Sequence, residues 1–232
     1  MDIINFSQQQ LAKCIQFTKT APNVTKNEMI KHFELCGEYG FHAAMVPMYY
    51  VSMGKEILKG TDVKLATFFG FGMGHETLNV KIAMMKECVE IGADEVDYQP
   101  NMSAFVSGDY DFFAKEAQAM LDASKSIIIK PMLELGEIPT VEEKIKAIKI
   151  FDNAGFVWIK NSSGSPFGGG DATPENIKLL FDNVRSECKV KASGKVNSYE
   201  KMVALFDAGA QLTGTSSGLD ILMKRTGSGS NY

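Results

Sequence analysis

The chain predicts a (β/α)8 TIM barrel on three observations. Helix-like and strand-like stretches alternate from end to end, one helix–glycine–strand junction recurs four times, and eight strand candidates fit within 232 residues. Strict alternation calls for parallel strands joined by right-handed crossovers. Eight such units in this length favour closure, since a barrel typically takes roughly 250 residues. The competing architecture is an open flavodoxin- or Rossmann-like sheet. Its phosphate-binding signature is missing: no GxGxxG follows the first strand, and Gly70-Phe71-Gly72-Met73-Gly74 comes after the third with the wrong spacing.

The strand candidates lie near 14–17, 43–46, 64–69, 95–98, 127–133, 156–160, 189–191 and 211–213, with helix candidates between them. Ile127-Ile128-Ile129 and Phe156 to Ile159 are continuous apolar runs, as expected of parallel strands covered on both faces. The stretch 76–90 places Leu78, Ile82, Met85 and Val89 on one helical face and ends at Gly92. A second helix, over 141–153, opens with the capping box Thr140-x-x-Glu143 and buries Ile145, Ile148 and Phe151. Thr173-Pro174 is an N-cap followed by proline in the first helical position, and Ser198 is another N-cap. The recurring junction reads Gly40-Phe41-His42, Gly92-Ala93-Asp94, Gly155-Phe156-Val157 and Gly209-Ala210-Gln211. One barrel domain is therefore expected over 1–226, with a tail at 227–232 that is flexible by composition.

Composition narrows the function. A hydrophobic fraction of 45% and a charged fraction of 22% describe an ordinary globular chain. Net charge −4 supplies no attraction to nucleic acid or to an anionic membrane. The N-terminus lacks the basic start and long apolar core of a signal peptide, and no apolar run approaches the roughly 20 residues of a membrane span. Cys14, Cys36, Cys88 and Cys188 are scattered, the pattern of reduced thiols in a cytoplasmic protein. His32, His42 and His75 show no metal-ligand spacing, so no metal site is expected.

Functional residues of a barrel sit at the C-terminal ends of its strands. Two ends share a pattern, Lys160-Asn161-Ser162-Ser163-Gly164 and Lys191-Ala192-Ser193-Gly194. Lysine is costly to desolvate, so two inward lysines on neighbouring strands need a reason. Crowding and burial let one of them lose its proton near neutrality, and a free amine attacks a carbonyl to form a Schiff base. The structural alternative pairs each lysine with a carboxylate or lets it snorkel to the barrel mouth. The matching Ser-Gly turns favour the chemical reading. Asp97 ends the fourth strand and Glu134 the fifth. A carboxylate there either relays protons or forms a structural salt bridge. Relay is favoured for Asp97, and the two readings are even for Glu134. Small-residue turns at Ser163-Gly164, Ser193-Gly194 and Gly214-Thr215-Ser216-Ser217-Gly218 gather late in the chain, where barrels often bind phosphate. The segment 165–171, with Gly168-Gly169-Gly170, is a candidate mobile loop over the mouth. The terminal Tyr232 reads, from the residues alone, as an idle end.

Lys160 with Ser162-Ser163-Gly164, Lys191-Ala192-Ser193-Gly194 and Gly92-Ala93-Asp94-Glu95-Val96-Asp97 together resemble the deoxyribose-phosphate aldolase family. The likeness runs from about Ile15 to Leu222 and takes in Lys55 to Val63, Asn101, Ser107-Gly108-Asp109-Tyr110 and Gly214 to Gly218. It implies a class I aldolase, a lyase of carbohydrate catabolism that reversibly cleaves 2-deoxy-D-ribose 5-phosphate to D-glyceraldehyde 3-phosphate and acetaldehyde. By the resemblance, Lys160 is the Schiff-base lysine, Lys191 the lysine that perturbs its pKa, and Asp97 the acid of the proton relay. Ser163, Gly164, Gly194, Ser216 and Ser217 match phosphate-binding turns. Some members end in a mobile tyrosine, which brings Tyr232 into the candidate catalytic set.

The chain also departs from the family pattern. Lys195 stands where the family usually has a second glycine, as a further candidate phosphate contact. Phe17-Thr18-Lys19-Thr20-Ala21-Pro22 replaces the His-Thr-x-Leu-Lys-Pro start, and Met45-Val46-Pro47-Met48 replaces Cys-Val-Asn-Pro. These changes keep two alternatives open: a Schiff-base aldolase for a different phosphorylated or anionic sugar, and a sugar-phosphate-binding barrel without catalysis. No metal or organic cofactor is expected, because the protonated imine is itself the electron sink. The expected partner is a small phosphorylated sugar or aldehyde, with room for a homodimer and no nucleic acid or membrane.

Overall fold

The computed structural model describes residues 2–125, 127–166 and 169–225. Its eight strands are β1 (Ile15–Thr18), β2 (Ala43–Met45), β3 (Lys64–Phe69), β4 (Glu95–Tyr98), β5 (Ile128–Pro131), β6 (Trp158–Lys160), β7 (Lys189–Ser193) and β8 (Leu212–Thr215). All pair in parallel, in the order β5-β4-β3-β2-β1-β8-β7-β6. The ring closes between its two ends. Met132 bridges Lys160 in parallel, and the N–H groups of Leu133 and Leu135 donate to the carbonyls of Lys160 and Asn161 at 3.0 and 2.9 Å. The result is the (β/α)8 barrel that the alternation predicts.

The helices are α1 (Gln8–Ala12), α2 (Lys26–Tyr39), α3 (Val51–Ile57), α4 (Leu78–Glu90), α5 (Met102–Val106), α6 (Tyr110–Ser124), α7 (Val141–Ala154), α8 (Pro174–Asn183), α9 (Tyr199–Asp207) and α10 (Gly218–Leu222). Their starts are set by side chains that satisfy orphan N–H groups: Thr25 accepts from Glu28, Thr140 from Glu143, Thr173 from Asn176 and Ser198 from Lys201. The recurring junction glycines, Gly40, Gly92, Gly155 and Gly209, have φ of 64°, 82°, 104° and 116°. These values turn the chain from helix into strand at little cost to a residue without Cβ.

Apolar burial is concentrated between the strands and the helices. Tyr98 and Phe156, whose rings lie 6.4 Å apart, and Phe113 and Phe151 at 5.1 Å, belong to one continuous core there. Truncating one of these rings to alanine costs about 3–5 kcal/mol. Inside the barrel the apolar content is small: Ala43, Met45 and Ala66, with Phe68 packed against them. Bulky branched residues usually fill a barrel interior. Here much of that volume belongs to charged and polar side chains.

Some sequence expectations need correction. The buried residues of α4 are Lys81, Met85 and Cys88, while Leu78, Ile82 and Val89 are partly buried. Lys81 goes inside because Glu116 of α6 takes its ammonium at 2.9 Å, both side chains being fully buried. In α7, Ala147, Ile148 and Phe151 are buried and Ile145 is intermediate. β6 is shorter than the apolar run that announces it. Phe156 N–H closes α7 on the Phe151 carbonyl and its ring joins the helix layer, so the strand begins at Trp158. The tail at 227–232 and Tyr232 lie outside the described residues.

Candidate active site

Strand alternation builds the site. On β4, Val96 and Tyr98 face the helices, so Glu95 and Asp97 project into the barrel. Register then sets Asp97 opposite Phe68 of β3 and Lys130 of β5, and Lys160 opposite Lys191. Oδ2 of Asp97 accepts from Nζ of Lys160 at 2.9 Å and from Nζ of Lys191 at 2.5 Å. Two nitrogens on one oxygen can be no farther apart than the two bonds together. Lys160, Lys191 and Asp97 are all buried. Nζ of Lys160 also lies 3.6 Å from Sδ of Met132.

A second polar layer lies behind this triad. Nζ of Lys191 donates to Oε1 of Gln16, and Nε2 of Gln16 donates to Oε2 of Glu95 at 2.5 Å. The same Glu95 oxygen accepts from Lys130 at 2.5 Å, and its other oxygen meets His42 at 2.9 Å and Lys64 at 3.1 Å. The buried set is thus three ammoniums, of Lys130, Lys160 and Lys191, against the carboxylates of Glu95 and Asp97. Such a set reaches neutrality when one lysine gives up its proton.

The electrostatics follow from that inventory. Burial pushes the Lys191 pKa down to about 7. Asp97 resists the fall, and the charges of Lys160 and Lys130 add to it. Burial pushes Asp97 the other way, but the ammoniums of Lys160, Lys191 and Lys130 outweigh it and hold the carboxyl near 2. Asp97 is therefore a carboxylate throughout the physiological range. Its Oδ1 is buried and has no hydrogen-bond partner among the described residues, so it faces the site as an open acceptor.

The pocket around these groups is walled by Thr18, Met45, Phe68, Phe71, Ser193 and Gly214, with an empty volume of about 250 Å³. A larger cleft of about 930 Å³ adjoins it, sharing Thr18 and lined by Phe17, Val24, Leu35 and Ser216 among others. That cleft has no charged side chain buried in its walls, so the chemistry is assigned to the smaller pocket. His32, on its wall, is buried and spends Nε2 on the Phe17 carbonyl at 3.2 Å; burial, then Lys19, pushes its pKa down to about 4.

The other sequence candidates are distributed along the rim. Ser163 N–H donates to Oε1 of Glu134 at 2.7 Å, Gly164 N–H to Oγ of Ser162 at 3.0 Å, and Ser217 N–H to Oγ1 of Thr215 at 2.9 Å. Gly194, with φ 112°, presses against the Gly170 carbonyl so closely that a Cβ would collide with it. Lys195 has φ 48°, left-handed backbone that glycine adopts freely, and its exposed ammonium pairs with Asp171 at 3.2 Å. Ser216 borders the larger cleft. Glu134 is not a partner of the lysines. It accepts from Ser162 Oγ at 3.0 Å and from the N–H groups of Ser163 and Gly169, tying down the segment after β6.

Sequence reading missed Gln16 and Lys130, and it took in Glu95 and Gly214 only as part of a family segment and a small-residue turn. For Gln16 and Glu95 the signal was two-residue alternation, Gln16-Phe17-Thr18 and Glu95-Val96-Asp97 each placing two polar groups on one face. Gly214 makes room for the site: a Cβ there would lie 2.5 Å from Oγ of Ser193 and 3.1 Å from Cε of Lys191. Among the described residues, no group of three or more His, Cys, Asp or Glu side chains is placed to hold a metal ion.

Comparison with known proteins gives a consistent result. The chain is 40% identical over 219 residues to a deoxyribose-phosphate aldolase of Caldanaerobacter subterraneus subsp. tengcongensis, covering 93% of this chain and 94% of that one. It is 38% identical over 216 residues to the enzyme of that name from Thermococcus gammatolerans, covering 91% and 95%. Among solved structures, the tetrameric deoxyribose phosphate aldolase of Aeropyrum pernix superimposes with a TM-score of 0.83 at 27% identity, over 94% of this chain and 91% of that one. No family model matches the chain. With identities of this size running through almost its whole length, the chain belongs to the deoxyribose-phosphate aldolase family.

Proposed function

We propose that this protein is a class I aldolase that reversibly cleaves 2-deoxy-D-ribose 5-phosphate to D-glyceraldehyde 3-phosphate and acetaldehyde through a Schiff base on Lys160. The observation that carries the reading is the single oxygen of Asp97 shared by Lys160 and Lys191 in a buried, positively unbalanced site. One of the two lysines sheds its proton near neutrality, and Lys160 attacks C1 of the open-chain sugar. Water leaves and the protonated imine forms. The C2–C3 bond then breaks. Its electron pair moves into the imine to give an enamine, and the C3 hydroxyl loses its proton as C3 becomes the carbonyl of glyceraldehyde 3-phosphate. Protonation of the enamine at C2 and hydrolysis of the imine release acetaldehyde and regenerate the amine.

Asp97 supports this sequence by holding the ammoniums through Oδ2 and offering Oδ1 to a hydroxyl or water in transit. Its low pKa keeps it ionised at neutral pH, so it serves as an acceptor that orients the hydroxyl or water and not as a store of the proton. The protonated imine is the electron sink, so the reaction calls for no metal or organic cofactor. For the phosphate we assign the rim of β6 to β8. Oγ of Ser163 accepts from Ser165 N–H at 3.0 Å, which leaves its O–H to donate to a phosphate oxygen, and Gly164, Gly194, Ser216 and Ser217 follow on the same rim. A phosphate reaching Lys195 has to compete with Asp171.

An aldolase for another anionic sugar remains the second reading, favoured by Lys195. The change at Phe17 does not favour it, because that ring packs on Phe41 at 4.8 Å while Thr18 lines the catalytic pocket. No helix of the described residues is long and apolar enough to cross a membrane. A cytoplasmic setting rests on the four buried free thiols, and a homodimer is compatible with the reading. The test is borohydride trapping with acetaldehyde, which should leave a stable adduct at Lys160 and none in Lys160→Ala. The same variant should lose retro-aldol activity across a panel of sugar phosphates. Full activity in Lys160→Ala defeats the mechanism, and a better substrate than deoxyribose 5-phosphate in the panel selects the second reading.

A further inference from the structure

Gln16 is fully buried and stands between an ammonium and a carboxylate. That placement fixes its orientation. Lys191 in its charged form can only donate, so it must face the amide oxygen. Lys130, His42 and Lys64 all bear on Glu95, whose pKa is held far below the usual range although burial pushes it up. An ionised carboxylate can only accept, so it must face the amide nitrogen. Each neighbour excludes the flipped amide.

Lys191 is surrounded by Asp97 from β4, Lys160 from β6, Lys130 from β5 and Gln16 from β1, with Gly214 on the β8 side contributing no charge. We infer that Gln16 is a positioning residue that keeps the proton on Lys191 and thereby leaves Lys160 as the free amine of the pair. The inference rests on the Schiff-base reading above. The two lysines share one carboxylate oxygen, so that oxygen alone does not decide which of them stays charged. Gln16 favours the charged form of Lys191, because its amide oxygen accepts from that ammonium. Being neutral, it does so without adding a second full negative charge, which would hold protons on both lysines. Burial already brings Lys191 close to losing its proton at neutrality, so one hydrogen bond is enough to decide the outcome. A hydrogen bond to a charged group shifts such a balance about ten- to a hundredfold.

The experiment is acetaldehyde trapping with borohydride from pH 6 to 10, the adduct mapped by peptide mass, alongside the pH profile of kcat. In Gln16→Leu the proton should move to Lys160. Adduct at Lys160 and kcat at pH 7 should fall about tenfold or more, and the loss should shrink as pH rises toward 10 and the shared proton is given up. Gln16→Met should behave alike and serves if the leucine variant folds poorly. Gln16→Glu places a second full negative charge beside the pair and should hold protons on both lysines, so adduct at pH 7 should fall here too and return only at higher pH. A purely structural defect would lower the yield by one factor at every pH, without recovery. An unchanged profile in the apolar variants, a pH-independent loss, or a Gln16→Glu variant with the unaltered protein's yield at pH 7 overturns the inference while leaving the Schiff base standing. Absence of any Lys160 adduct in the unaltered protein overturns the Schiff-base reading itself.

Discussion

Replacing Lys191 with methionine should stabilise the fold at pH 6 while removing activity at neutral pH. The folded-state pKa of Lys191 is depressed from 10.5 to about 7. Below about 7 both folded and unfolded chains carry the proton, and the folded state bears the full cost of a buried charge. Between about 7 and 10.5 only the unfolded chain holds it, so stability rises with pH across that window and levels off above it. At about 1.4 kcal/mol per pH unit the cost relieved by methionine below pH 7 is about 4–5 kcal/mol. Against this, Oε1 of Gln16 loses its donor, worth about 1–3 kcal/mol. Asp97 keeps Lys160 at 2.9 Å and is not left alone. The net gain is about 2 kcal/mol at pH 6, shrinking and then reversing as pH approaches 10. Urea midpoints at pH 6 and 9.5 measure it. Activity should move oppositely: without its like-charged neighbour Lys160 keeps its proton to higher pH, so kcat falls at pH 7 and recovers in alkali. Equal destabilisation at both pH values would refute the argument that burial of Lys191 as a cation costs stability.

Three further outcomes follow from the same geometry. Asp97→Asn removes the charge that holds both ammoniums, so the lysines deprotonate more readily. Acetaldehyde trapping at Lys160 should persist at pH 7 while kcat for cleavage drops about 10²–10⁴-fold, a split that parallel trapping and turnover assays would show. Gly214→Ala puts a methyl 3.1 Å from Cε of Lys191, costing about 1–3 kcal/mol of overpacking and displacing that ammonium; a kcat at pH 7 equal to the parent's would contradict the tight fit. Glu134→Ala strands the N–H groups of Ser163 and Gly169 and should cost about 2–4 kcal/mol, read as faster amide exchange at those two positions with little change in trapping at Lys160.

Much of the site was legible because barrels place chemistry at strand ends. Lys160 ends its strand, Asp97 lies one residue and Lys191 two residues short of the end of theirs, and all three are buried in the barrel. Glu134 satisfies the same positional rule and does something else. Its backbone, at φ 45°, has left the strand pattern, so its carboxylate turns to the segment after β6 rather than to the lysines. Lys81 misleads in the opposite sense. It is not among the residues expected to be buried on its helix, and its burial depends on Glu116, thirty-five positions away in the chain.

Local information in the chain was sufficient for the element order, the parallel barrel and the candidate amines, because hydrophobic period, caps and glycine junctions are properties of neighbouring residues. Partnership across the barrel was not contained there. That Lys160 and Lys191 meet on one oxygen of Asp97, that Gln16 spans Lys191 and Glu95, and that Lys195 answers to Asp171 all depend on strand register and ring closure. Hydrogen bonds and charges act over a few ångströms of space, and only the closed ring of strands brings residues as much as 175 positions apart within that reach.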